Sequence, residues 1–408
     1  MFSRIYGAAS IVFALFVLAC TDATATTQRA FVASYGNDTN PCSLTLPCRT
    51  FAAAIATTPP NGEVIVLDSG GYGAVTITQS VSIIAAPGVY AGISVFASDI
   101  GVTVAAGATD KVVLRGLTIN GQGGHNGIYI YSAGHVYIER CTIADMRSAG
   151  VRVGDSSVFI LDSLVNNNLE FGVYIGASSG KVWVNDSRFI ENTTGLLVYT
   201  GTLIANRIVV ENNSAGGVVA AGIFEGAFVT LTDSVLSGNG GVGASLGRGI
   251  GADTGPVEMR VIRSTVSNNG FEGFQINGQE GFRSFVLSDS AVVRNGQGNS
   301  GAGVALVGGA EVRATITGST IEANAGVGIA AVGSTTVVSG STVSNNGAAG
   351  LIAGNAGTVI VSGSTLAANA LADLSQTGAA VLRSSGTNTL TGRGAADISG
   401  TITPDPLK

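Results

Sequence analysis

From about Val136 onward, apolar and polar residues alternate in runs of a few positions, and each run breaks at Ser, Asn or Gly before the next begins. Alternation with a period of two over so few residues predicts short strands with one buried face. The breaks recur. The stretches Ser163 to Asn168, Ser187 to Asn192, Ser234 to Asn239 and Ser264 to Asn269 each open on Ser and place Asn sixth. The same holds for Ser290 to Asn295, Ser319 to Asn324, Ser341 to Asn346 and Ser364 to Asn369. Between the second and third of these, Arg207 takes the place of Ser and Asn212 that of Asn. A repeat of roughly 20 to 30 residues is the period of a solenoid coil.

One coil then holds three short strands and three turns. Val182 and Val184 face inward on the strand before Ser, Phe189 faces inward on the strand after it, and alternation resumes after Gly195. Stacked coils give an all-β chain of three parallel sheets around an aliphatic core, with about 14 coils between Glu63 and Ile402. The recurrent Asn suits a sharp turn because it tolerates the left-handed conformation, and its amide can reach the Asn one coil away. An Asn ladder is structural.

The chain resembles the pectin lyase-like proteins, which are single-stranded right-handed parallel β-helices. The coil phrase carries the resemblance, together with the entry segments Tyr35 to Cys42 (YGNDTNPC) and Pro47 to Ile55 (PCRTFAAAI). It implies a short N-terminal helix over the first coil, with Thr50 as its cap and a Phe51/Ile55 stripe closing the core. The expected organisation is a cap over residues 26–62, a β-helix over 63–403 and a tail over 404–408. The fold implies no single activity, because it carries lyases, hydrolases, epimerases, esterases, tailspikes and adhesins.

Composition agrees with strands and tight turns: 60 of 408 residues are Gly and only 11% are charged, yet 45% are hydrophobic. A net charge of −6 provides no basic stripe for a phosphate backbone, so nucleic acid is not an expected partner. Residues 1–25 read as an export signal, with Arg4, an apolar run from Ile11 to Leu18 and an A-x-A site at Ala23 to Ala25. A lipid anchor at Cys20 is the alternative, since Val17 to Cys20 resembles a lipobox. No later segment is long and apolar enough to span a membrane. The expected location is secreted or periplasmic, where Cys42 and Cys48 pair as a disulfide and Cys141 stays a buried or turn thiol.

Catalytic signatures that the resemblance would lead one to seek are missing. The Asn-Thr-Asp, Asp-Asp, Gly-His-Gly and Arg-Ile-Lys segments of polygalacturonase-like hydrolases do not occur, nor does the Asp-Pro-His-Asp of mannuronan epimerase-like members. A pectate lyase-like set of scattered carboxylates and an Arg base would bring Ca²⁺; otherwise no cofactor and no metal are implied.

The register does produce one constellation. Four residues before Ser, the outward positions of the first sheet read Val113, Tyr137, Phe159, Trp183 and Leu203, beside Arg115, Glu139, Arg140, Asp162 and Asp186. Aromatics flanked by carboxylates and guanidinia suit a sugar polymer, and in the resembling family the substrate lies on this face. A purely structural reading competes, because aromatic ladders stabilise stacked coils and Asp also precedes Ser at Asp233 and Asp289. His125 and His135 are expected in loops, and Tyr129, Arg152 and Tyr174 on the outer surface of the third sheet. Insertions at Arg248 to Pro256 and Gln279 to Ser284 fall where family members wall their groove. The expectation is an exported, non-catalytic protein that binds polysaccharide or serves at the cell-envelope surface. A lyase or glycoside hydrolase and an adhesin-like structural protein are the alternatives.

Overall fold

In the computed structural model the chain winds into a right-handed parallel β-helix of about 13 turns, in line with the 14 expected. The structure describes residues 28–222, 225–247, 255–278, 281–298, 301–309, 311–392 and 397–404. The export signal, Cys20, most of the Arg248 insertion and nearly all of the tail lie outside them.

Each coil contributes three strands in fixed order, as in Lys181–Asn185, Arg188–Ile190 and Thr194–Val198, which belong to the first, second and third sheets. The three-residue strands of the second sheet pair in a separate 14-stranded stack. The other two sheets meet at a corner that Asn126–Glu139 and Ala149–Leu161 cross without a break. Inward Val182, Val184 and Phe189 are buried, as the alternation predicts. Every coil covers its neighbour's apolar side chains, so the core is one continuous column.

Two turns carry the repeat. The Ser of each coil accepts a hydrogen bond from the backbone N–H of the coil before, as when Ser163 donates to Ser187 Oγ at 3.1 Å and Ser234 to Ser264 Oγ at 3.1 Å. Cys141 occupies the same column, donating its backbone N–H to Ser163 Oγ at 3.1 Å. The Asn residues form an unbroken ladder: Asn168 donates through Nδ2 to Asn192 Oδ1 at 2.8 Å, and Asn269 to Asn295 at 2.8 Å. It closes where Asn369 donates to Asp373 Oδ1 at 2.8 Å. From Asn192 onward the amide also donates to a strand carbonyl of the coil before, as Asn192 does to Val165 O at 3.2 Å.

The ladder corrects two sequence expectations. The left-handed residue is the one before the ladder Asn, with φ of 53° at Asn167, 57° at Glu191 and 55° at Asn268. The ladder Asn is chosen for its buried amide, not for its backbone. In the coil without Ser, the register moves by one: Ile208 donates its N–H to Ser234 Oγ, and Asn213 is the rung below Asn192. Arg207 and Asn212 are the left-handed residues, with φ of 51° and 55°. An apolar residue in the Ser position hid the phase of that coil.

The N-terminal end is closed as expected. Helix Phe51–Thr57 begins with Thr50 Oγ1 accepting from Ala53 N at 3.2 Å, and Phe51, Ala54 and Ile55 are buried against the first coil. Cys42 and Cys48 are bridged. The cap also feeds the helix, because Arg29–Val32 pairs with Gly62–Val66 and so begins the first sheet ahead of Glu63. Tyr72 is fully buried under the capping helix, 5.2 Å from Phe51, and its hydroxyl donates to Asp68 Oδ1 at 2.6 Å.

Asn269→Leu removes the acceptor of the Asn239 backbone N–H, leaving that group buried without a partner, and one of the two acceptors of Asn239 Nδ2, which keeps only Val210 O at 3.2 Å. Urea unfolding should show stability lower by about 2–4 kcal/mol, whereas an exposed change in the same coil should fall within about 0.5 kcal/mol. Burial pushes the Cys141 thiol up to about 11. A protein beginning at Thr26 should therefore show no reactive thiol when native and one after denaturation without reductant; three would remove the bridge.

Candidate functional site

The first sheet sets the outward positions of its strands one strand spacing apart. Tyr137 pairs with Phe159, Phe159 with Trp183, and Trp183 with Ile204. Leu203 is thus not the next member of the column: it is buried beneath Val182, through the same one-residue shift that displaced Arg207. Val113 begins the column beside Tyr137 and is itself 8% exposed.

The three rings stack on one another. Tyr137 and Phe159 lie 4.7 Å apart at 10°, and Phe159 and Trp183 4.8 Å apart at 8°. Such a stack places ring faces against ring faces, so solvent meets mainly their edges. The free face of Tyr137 is occupied by the Lys111 ammonium, 4.9 Å from the ring centroid. Lys111, His135, Ser157 and Lys181 form the next outward column of this sheet. His135 is therefore a strand residue; His125 stands just before that strand, its Nδ1 2.7 Å from Asn126 Nδ2.

The charged residues fall into two places. Arg115 and Glu139 are neighbours at the strand ends of the first sheet, with Arg115 Nε donating to Glu139 Oε2 at 2.6 Å. Arg140, Asp162 and Asp186 occupy the following turn, all in the left-handed region, with φ of 50°, 49° and 51°. That turn column runs on through Arg207, Asp233, Arg263 and Asp289. Arg207 donates twice to Asp186, at 2.6 Å each, and Arg263 twice to Asp233, at 2.8 and 2.9 Å. The Arg207 guanidinium holds the Asp186 carboxyl below its ordinary value. Fold geometry has brought all eight predicted residues onto one side of successive coils, but in a sheet strip and a turn ladder.

Sequence reasoning took Tyr129, Arg152 and Tyr174 for surface. They are consecutive outward residues of the third sheet, and the Arg152 guanidinium is layered between the rings, 5.3 Å from Tyr129 and 4.6 Å from Tyr174. Tyr131 stacks on Tyr129 at 3.8 Å, and Tyr199 lies 6.1 Å from Tyr174. The signal was present in the sequence as Tyr, Arg and Tyr at the same step of three successive third-sheet strands. Downstream of it, a cleft of about 600 Å³ opens over the third sheet between Phe171 and Phe271.

The sequence profile described as the right-handed beta helix region matches residues 100–253 and 248–396. The chain belongs to the right-handed β-helix family. Among solved structures, the A-module of an Azotobacter vinelandii mannuronan C-5 epimerase is similar to this β-helix protein at a TM-score of 0.52 and 14% identity, covering 87% of this chain and 94% of that one. A pectate lyase matches at 0.49 and 17%, covering 64% and 75%, and a Dettilon phage tailspike at 0.45 and 12%, covering 86% and 63%. No curated protein sequence matches significantly.

What this β-helix protein presents on its first sheet is therefore an aromatic stack with cations along one border and an ion pair along the other. Among the described residues, no three His, Cys, Asp or Glu side chains gather closely enough to hold a metal ion. The Asp186–Arg207 pair is exposed, and a double-mutant cycle on its members should give a small favourable coupling that weakens with salt. Because the Asp186 carboxyl is depressed in the folded state, the coupling is fully present above the unfolded carboxylate pKa of about 4 and disappears as pH falls through the lower folded value. Coupling unchanged at pH 2 would remove the pair from the turn's stability.

Proposed function

We propose that this is an exported protein whose first-sheet face holds a polysaccharide without cleaving it. The observation that carries the reading is the continuous strip of Tyr137, Phe159 and Trp183 bordered by Lys111, His135 and Lys181. Ring edges, the indole N–H, the two flanking ammonium groups and the imidazole offer hydrogen bonds and apolar contact along the axis, the direction in which a polymer can run over several coils. The nearest carboxylates support holding over turnover: Glu139 accepts from Arg115, and Asp186 is kept ionised by Arg207. A general acid needs the opposite shift. Arg140 and Asp162 would contact the polymer from the turn.

The disulfide supports an oxidising compartment, outside the cell or in the periplasm, and among the described residues no helix is long and apolar enough to cross a membrane. Lipid attachment at Cys20 remains the alternative to release. The architecture shared with a mannuronan C-5 epimerase module makes a polysaccharide the natural partner class.

A lyase or glycoside hydrolase at the same face is the second reading, favoured by Glu139, Asp162 and Asp186 lying on successive coils. As a lyase it would bring Ca²⁺ to those carboxylates.

Incubation with pectins, alginates and glycosaminoglycans, with and without Ca²⁺, followed by ultraviolet absorbance and reducing ends, separates the readings. Binding without product is expected, and robust turnover overturns it. Trp183→Ala should weaken binding by about 1–3 kcal/mol. A fall in melting temperature with binding unchanged would make the stack purely structural.

A further inference from the structure

The third-sheet cleft is unrelated to the first-sheet strip and has its own construction. Phe171 stands on one coil, Thr194 on the next, then Gly216, then Val242, each paired with the one before. Phe271 follows one coil further, its N–H bonded to Gly241 O. Aromatic side chains thus stand at the two ends, separated by four strand spacings of about 4.8 Å, roughly 19 Å in all. Between them the residues shrink to Ala215, Gly216, Gly240 and Gly241, and this run of small residues makes the hollow. Leu197 and Val219 form its apolar floor, Tyr199 flanks one side, and Phe271 is 43% exposed.

The floor ends in polar atoms that nothing in the protein satisfies. Ser245 follows Val219 in the outward column of the third sheet, lines the cleft, is fully buried, and its Oγ has no hydrogen-bond partner. Gln275, the next residue of that column, holds a buried Oε1 that is equally unpartnered. A buried polar oxygen without a partner costs about 1–3 kcal/mol, and such oxygens recruit a donor. An alkyl chain offers none. Among the described residues, no Asp, Glu, Lys, Arg or His lines the cleft, so a charged ligand would find no partner among them. A ligand with C–H faces for rings and hydroxyls for buried oxygens, elongated and without charge, is a neutral sugar chain.

We propose that the cleft between Phe171 and Phe271 is a second glycan site, which takes a neutral oligosaccharide through contact with its ring walls and donation of a sugar hydroxyl to Ser245 Oγ. Saturation-transfer difference NMR on the full mature chain, with chitotriose, cellotriose and maltotriose as probes and a galacturonate trimer as acidic control, tests it. Transfer to the C–H protons of at least one neutral trisaccharide is expected, and little to the acidic one.

Gly216→Leu fills the hollow, and its new Cβ meets nothing nearer than Val242 O at 3.5 Å, so the fold should hold and binding should vanish. Should that variant melt early, Phe271→Ala at the exposed rim should still reduce affinity severalfold in a normally folded protein. Ser245→Ala should weaken binding roughly tenfold yet leave the melting temperature the same or higher, because the hydroxyl bonds nothing in the free protein and its removal relieves a buried unpartnered oxygen. Trp183→Ala should leave this site intact, which keeps it distinct from the first-sheet reading. The proposal is overturned if no neutral trisaccharide binds, if the acidic trimer binds as well, if binding follows Trp183 and ignores Gly216, or if sedimentation shows the cleft joining two copies of the chain.

Discussion

Everything in this molecule depends on parallel strands stacked in register, so that each residue sits on its counterpart one coil away. In-register stacking turns a sequence repeat into columns, and a column of identical side chains is favourable only if the side chain can bond to itself. Buried Asn meets that condition, since it both donates and accepts. The ladder from Asn168 to Asn369 therefore satisfies polar groups that the tight turn would otherwise strand inside the core, and it fixes the phase of coil on coil. Ser does the same one turn earlier with a single oxygen.

The same constraint shapes the outer faces. Three aromatics in one column have their faces against each other, which leaves edges for a ligand. Like charges in a turn column repel, and from Asp186 onward the order Asp186, Arg207, Asp233, Arg263, Asp289 alternates, although Asp162 and Asp186 stand next to each other. A side chain in a filled column is engaged by its neighbours before any ligand arrives. On this fold, recognition falls to edges and borders, or to places where the column is interrupted by small residues, as at Gly216 on the third sheet.

Arg283 shows the limit of reading by columns. It is the largest of the fully buried side chains, at the start of a first-sheet strand, and donates to the carbonyls of Gly255 at 2.9 Å and Phe282 at 3.1 Å. An arginine at that step of the strand reads from sequence as a solvated edge. Its guanidinium reaches the Gly255 carbonyl, a relation between two coils that no local pattern records.

Sequence by itself determined the solenoid, the three sheets, most of the inward faces and the Asn column, because each is specified by residues near one another and repeated many times; the Cys42–Cys48 bridge was legible from its close spacing, and the capping helix from the resemblance. Where the repeat lost its marker, at Ile208, the reading slipped by one and put Leu203 on the wrong face, since a period of two reverses every side chain after a single-residue error. Only the tertiary structure decided which columns were already filled. The stacking of Tyr137, Phe159 and Trp183, the pairing of Asp186 with Arg207 and the layering of Arg152 between two tyrosines join residues about one coil apart. The cleft beside Phe271 needs five coils in place before its small residues lie between two aromatic ends.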